Sequence, residues 1–135
     1  MIGTFVLVDG PASEPVSLDE AKAQINVTSN DDDDLVAALI VAARRRAESH
    51  LDRSLIDTSW TYRIDAFPDV DMTSNDRRNR LRAIAVPKSA LRSVDEVRYY
   101  APGADVPTVL DPADYVALVG SPGLIVPAPG KDWPA

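Results

Sequence analysis

The chain has 135 residues, 21 acidic against 14 basic side chains, a formal charge of −7 and no cysteine. That length supports one domain burying roughly two-thirds of the surface its unfolded form exposes, and argues against a second independent core. Without cysteine neither disulfides nor thiolate metal sites can form, so stability must come from apolar packing or from association with other subunits, which suits a reducing cytoplasm. The acidic balance excludes broad, sequence-independent DNA binding, because phosphate contacts need clustered Lys and Arg. No apolar run approaches the ~18 to 20 residues of a membrane span.

Residues 2 to 8 read as a short strand, and with no basic region before Phe5-Val6-Leu7-Val8 a secretory signal is not expected. Gly10-Pro11-Ala12-Ser13-Glu14-Pro15 reads as an extended leader, since each proline disfavours helix in the residue before it. Ser17 lies three residues before Glu20, the capping-box spacing, and Leu18, Ala21 and Ile25 supply the apolar stripe of a helix of about two turns ending near Val27-Thr28.

Ser29 or Asn30 can cap a second and longer helix, within about 31 to 53, with Asp31 to Asp34 in a first turn where the helix dipole favours negative charge. Leu35, Ala38, Leu39, Ala42, Ala43, Ala47 and Leu51 recur at spacings of three and four, predicting one buried stripe with Arg44, Arg45 and Glu48 more exposed. So much alanine implies close helix approach, within the subunit or between subunits.

After Ile56 the period shortens to two. Trp60, Tyr62, Ile64 and Ala66 point one way and Thr61, Arg63 and Asp65 the other, predicting a strand over 60 to 68. Pro68 to Asn79 is polar and charged without periodicity and reads as a mobile loop. Leu81 to Val86, Val94 to Tyr100, Tyr115 to Val119 and Leu124 to Val126 follow as strands between proline- and glycine-rich turns. The 11 prolines of the chain, concentrated in these turns, exclude a long helix after residue 60. The fold class is α+β: an N-terminal helical pair over about 17–53, then a small antiparallel sheet or sandwich over about 59–126, in a single domain spanning 1–135.

Chemistry is sparse. His50, the sole histidine, falls near the C-terminal end of the long helix, where a partly charged imidazole suits the dipole, and no nucleophile and orienting acid converge on it in the spacing. Asp31 to Asp34 point in different directions around a helix, so capping and solvation account for them better than a shared cation. Asp69, Asp71, Thr73 and Asp76 resemble a calcium loop only until the sixth position, which lacks glycine, and the twelfth, where Arg80 replaces the closing glutamate. No catalytic residue, metal site or cofactor is expected.

Two basic clusters, Arg44-Arg45-Arg46 and Arg77-Arg78-Asn79-Arg80-Leu81-Arg82, are either solvated faces paired with nearby aspartates or contacts to an acidic neighbour or to DNA phosphate. Trp60, Tyr62 and Tyr115 hold inward strand positions and read as core. Trp133, between Asp132 and Pro134 in a proline-rich tail, either packs back on the domain or is an exposed anchor. The candidate protein-interface residues are Ala42, Ala43, Arg44, Arg45, Arg77, Arg78 and Trp133.

The order of these pieces resembles the head-tail connector (adaptor) proteins of tailed bacteriophages and phage-like particles. The resemblance runs through Pro15-Val16-Ser17-Leu18 with Glu20-Ala21-Lys22, Asp33-Asp34-Leu35 to Leu51, Arg53-Ser54-Leu55-Ile56 leading into the Trp60 strand, Pro87-Lys88-Ser89-Ala90-Leu91-Arg92-Ser93-Val94, Asp111-Pro112-Ala113-Asp114-Tyr115 and Gly123 to Pro134. It implies a structural virion protein and not an enzyme: a ring of about twelve copies below the portal, extending the DNA channel and joining it to a stopper or tail-completion protein. DNA would pass without specific binding, and no membrane is involved. The family pattern also continues past the tryptophan-proline pair into a strand and a portal-docking C-terminal helix, whereas this sequence ends at Ala135. A monomeric β-rich interaction module and a small hydrolase are the alternatives.

Overall fold

The computed structural model describes residues 3–69, 82–88 and 90–134. In chain order these form strand β1 (Gly3–Asp9), helices α1 (Leu18–Ile25) and α2 (Asp33–Leu51), and strands β2 (Ser59–Ile64), β3 (Ile84–Val86), β4 (Arg98–Tyr99), β5 (Thr108–Val109), β6 (Tyr115–Leu118) and β7 (Gly123–Pro127), with a 3-10 turn at Pro112–Asp114. The fold is α+β, a helical pair followed by small antiparallel sheets. Two compact units divide the chain: Val6–Thr61, and Met1–Phe5 with Tyr62–Ala135.

In the first unit, α1 starts on the capping box expected for it. Ser17 Oγ accepts from the Glu20 N–H at 3.2 Å, and Glu20 Oε2 accepts from the Ser17 N–H at 2.8 Å. Asn26 ends the helix in the left-handed conformation, φ 55°, a position asparagine tolerates. Asp32, not Ser29 or Asn30, occupies the N-cap of α2 and makes no side-chain cap bond. The reason is visible in the partners: Asn30 Oδ1 accepts from Lys22 Nζ at 2.7 Å, and Ser29 Oγ is engaged with the backbone and carboxylate of Asp31. Lys22 Nζ also meets Asp33 Oδ1 at 2.6 Å, tying α1 to the start of α2.

The second unit centres on a three-stranded sheet in the order β3-β7-β6, antiparallel throughout. Ile84 lies opposite Ile125, and both join Leu110 and Trp133 in the buried cluster. Tyr62, Ile64, Phe67, Val86, Val94, Val97, Tyr99 and Tyr115 pack around it. Strand β4 pairs only with β5, Arg98 opposite Val109 and Tyr99 opposite Thr108. The strand expected over 94 to 100 is thus shortened to two residues. Gly123 is buried where a Cβ would run into the Leu91 side chain, and Leu91 exchanges two backbone hydrogen bonds with Gly120 at 3.0 and 2.9 Å. Strands β1 and β2 form a separate two-stranded sheet, with Phe5 and Tyr62 rings 4.9 Å apart. β2 ends at Ile64, and Ala66 is exposed and not inward. The loop expected from Pro68 to Asn79 lies, from Val70 onward, outside the described residues, as do Arg77 and Arg78.

Candidate protein-protein interface

Helix α2 turns a different face inward from the one its alanines and leucines suggest. Val36 and Arg44 are buried and Ile40 and Ala47 half-buried, a series at spacings of three and four. Leu35, Ala38, Leu39, Ala42, Ala43 and Leu51, expected in the core, are exposed, with Leu35 and Leu39 each 58 % accessible. The two series are offset by one position around the helix, and periodicity does not say which of them a single chain covers.

Arg44 corrects a second expectation. Its guanidinium is buried, donating from Nε to Glu14 Oε2 at 2.7 Å, from Nη2 to Glu14 Oε1 at 3.2 Å and from Nη1 to Glu48 Oε2 at 2.6 Å. Glu48 Oε1 also accepts from the Leu55 N–H at 2.9 Å. One arginine thereby joins the leader, α2 and the turn that follows α2. The Glu14 hydrogen bond raises its already high pKa most, with Glu48 adding to this and burial opposing it. Arg45 and Arg46, by contrast, are exposed and make no ion pair with the described residues.

Between α1 and α2 runs a groove of about 630 Å³. Pro15, Val16, Ile25, Val36, Leu39, Ile40 and Ala43 form its apolar walls, with Glu20 and Arg44 among the lining residues. On the same unit β1 shows Val6, Leu7 and Val8 at 47, 45 and 59 % exposure. The groove and β1 thus leave apolar surface uncovered at two places on one 56-residue unit.

The second unit has a smaller pocket of about 330 Å³ lined by Phe67, Tyr99, Tyr100, Pro102 and Pro134. Trp133 packs back on this unit: it is buried, stacks on Phe67 and donates from Nε1 to the Arg82 carbonyl at 2.8 Å. His50 is exposed in the last turn of α2. Among the described residues no three His, Cys, Asp or Glu side chains gather as a metal site would require, and no helix is long and apolar enough to cross a membrane.

Sequence reasoning missed Glu14, Lys22, Asn30 and Asp33 as the groups that fix the helical pair. The available signals were a Val36-Ile40-Arg44-Glu48 ladder at i, i+4 and an acid placed directly before Pro15, but neither identifies its partner. No curated protein and no solved structure matches the chain. The family model for phage gp6-like head-tail connector proteins matches residues 15–100, from the leader through α1, α2, β2 and β3 to β4, and the chain therefore belongs to that family.

Proposed function

We propose that this connector works as a ring subunit at the head-tail junction. About twelve copies, related by cyclic symmetry, would sit below the portal, extend the DNA channel and offer the next surface to a stopper or tail-completion protein. The observation that supports this best is the outer face of α2: in an assembly family, Leu35, Ala38 and Ala42 lie uncovered in the single chain. A head-to-tail ring interface needs such a patch on one side of each subunit and a different patch on the other, which the α1–α2 groove or the apolar β1 can supply. Charge fits the same reading, since a net −7 opposes adhesion of DNA moving through a channel. The two units act as one connector domain, made in the host cytoplasm and ending in the virion.

Native mass measurement of the full chain mixed with the cognate portal ring tests the reading. A complex carrying a ring's worth of copies is expected, and failure to load on the portal overturns it. Retention of duplex DNA at physiological salt by the wild-type protein would separately overturn the non-adhesive channel. The aromatic and proline-lined pocket of the second unit favours one other reading, a monomeric interaction module, and a protein that stays monomeric with or without portal would support it.

A further inference from the structure

We propose that two free subunits pair through the outer face of α2 in an antiparallel, two-fold arrangement before any ring forms. This face runs along Leu35, Ala38 and Ala42, with Leu39 at its edge toward the α1–α2 groove, and all four are exposed. Its ends carry opposite charge. Asp31 and Asp32 stand at its start, Arg45 and Arg46 near its finish, and all four are exposed without an ion pair among the described residues.

An antiparallel second copy turns this asymmetry into complementarity. With the two-fold axis between positions 38 and 39, Leu35 comes opposite the partner's Ala42, while Ala38 and Leu39 each lie beside the same position of the partner, on the two sides of the seam. In the same register Asp31 and Asp32, just ahead of the helix, come near the partner's Arg45 and the partner's Arg46 respectively. Leu35 against Ala42, and Ala38 against its own copy, let the helices approach closely, and both ends close on opposite charges. A parallel pair would instead set like charges together at each end. The pairing does not depend on the ring reading. Its further consequence does rest on that reading: the pair covers the face a ring would use, so it would have to open on loading onto a portal.

The absence of native cysteine makes a disulfide trap clean. In the full chain, Ala38→Cys lies beside the axis and is expected to cross-link two copies under mild oxidation. Leu51→Cys is expected not to, since the two copies of that position would be roughly 37 Å apart along the helices. Sedimentation velocity adds the charge test. Arg45→Glu with Arg46→Glu should weaken the dimer about tenfold at low salt, as should Asp31→Lys with Asp32→Lys, and the four changes together should restore it to within about threefold. Circular dichroism on each variant shows that α2 is still formed. A wild-type protein monomeric at every concentration overturns the pairing, as does one that forms rings without portal, equal cross-linking at 38 and 51, or no recovery in the fourfold variant. Portal loading is read in a separate experiment, so the ring can fail while the pair stands, and the reverse.

Discussion

Trp133 and Phe67 stack with ring centroids 4.9 Å apart and planes inclined by 11°, closing the buried cluster of the β-rich unit with the last aromatic residue of the chain. The clasp is reciprocal: Trp133 Nε1 donates to the Arg82 carbonyl, and the Arg82 guanidinium donates to the Lys131 carbonyl at 3.1 Å and pairs with Asp132. Trp133→Ala is expected to lower stability by about 3–5 kcal/mol, the range for deleting a buried aromatic. Trp133→Phe keeps a ring on Phe67 but leaves the Arg82 carbonyl without its donor, for a loss of about 1–3 kcal/mol. Urea unfolding measures both, and a negligible loss in the alanine variant would contradict the packing seen here.

Gly123 marks the closest approach of the chain to Leu91, where a Cβ would overlap that side chain. Both flank the β6–β7 connection, which contains the cis Ser121–Pro122 peptide, and Gly123 pairs with Val86 across the sheet. Gly123→Ala should therefore cost about 1–3 kcal/mol through overpacking. Leu91→Ala combined with it should recover part of that loss, because the neighbour that must move is then smaller. Thermal unfolding of the two single variants and the double decides it, and simple additivity would show that the overlap is relieved elsewhere.

Arg44 and Arg45 are adjacent in sequence and opposite in role. Removing the Arg44 side chain leaves Glu14 and Glu48 facing each other without their shared cation, and Arg44→Ala is expected to destabilise by about 3–5 kcal/mol. Arg45→Ala, at an exposed position without an ion pair among the described residues, should stay within about 0.5 kcal/mol of wild type. Urea unfolding of each variant measures the contrast. Any effect of Arg45 on assembly can then be read without a folding defect, which Arg44 does not permit.

These cases show what a sequence can carry. The Ser17–Glu20 capping box and the two helices were legible because they rest on contacts three or four residues apart and on a clear change of period after Ile56. The inward face of α2 was not, since Leu35-Leu39-Ala42 and Val36-Ile40-Ala47 satisfy the helical period equally well. Nor could periodicity pick out Glu14, 30 residues from Arg44, or show that a proline-rich tail returns Trp133 to the core. Strand β5 escaped for another reason: two residues after Pro107 are too few to show alternation. The exposure of Leu35, Leu39 and Ala42 was hardest of all to foresee, because a stripe with the spacing of a core face carries no mark of whether its own chain covers it.

Glu20 offers a pH-dependent readout of the first helix. Its carboxyl is held below the ordinary value of 4.5, chiefly by the hydrogen bond from the Ser17 N–H and then by the Ser17 hydroxyl, with a small opposing effect of desolvation. A pKa depressed in the folded state contributes stability that is fully present above the unfolded value of 4.5 and is lost as pH falls through the folded value. Acidification should thus loosen the start of α1 as Glu20 protonates. In Glu20→Ala this contribution is missing at every pH, so the fall in stability between about pH 7 and pH 3 should be shallower than in wild type. Ser17→Ala should move the Glu20 pKa only part of the way back, because the backbone donor remains. Carboxyl chemical shifts across a titration give the pKa, and urea unfolding across the same range gives the slope. Parallel slopes for wild type and Glu20→Ala would mean that the capping box contributes nothing to the acid side of the stability curve.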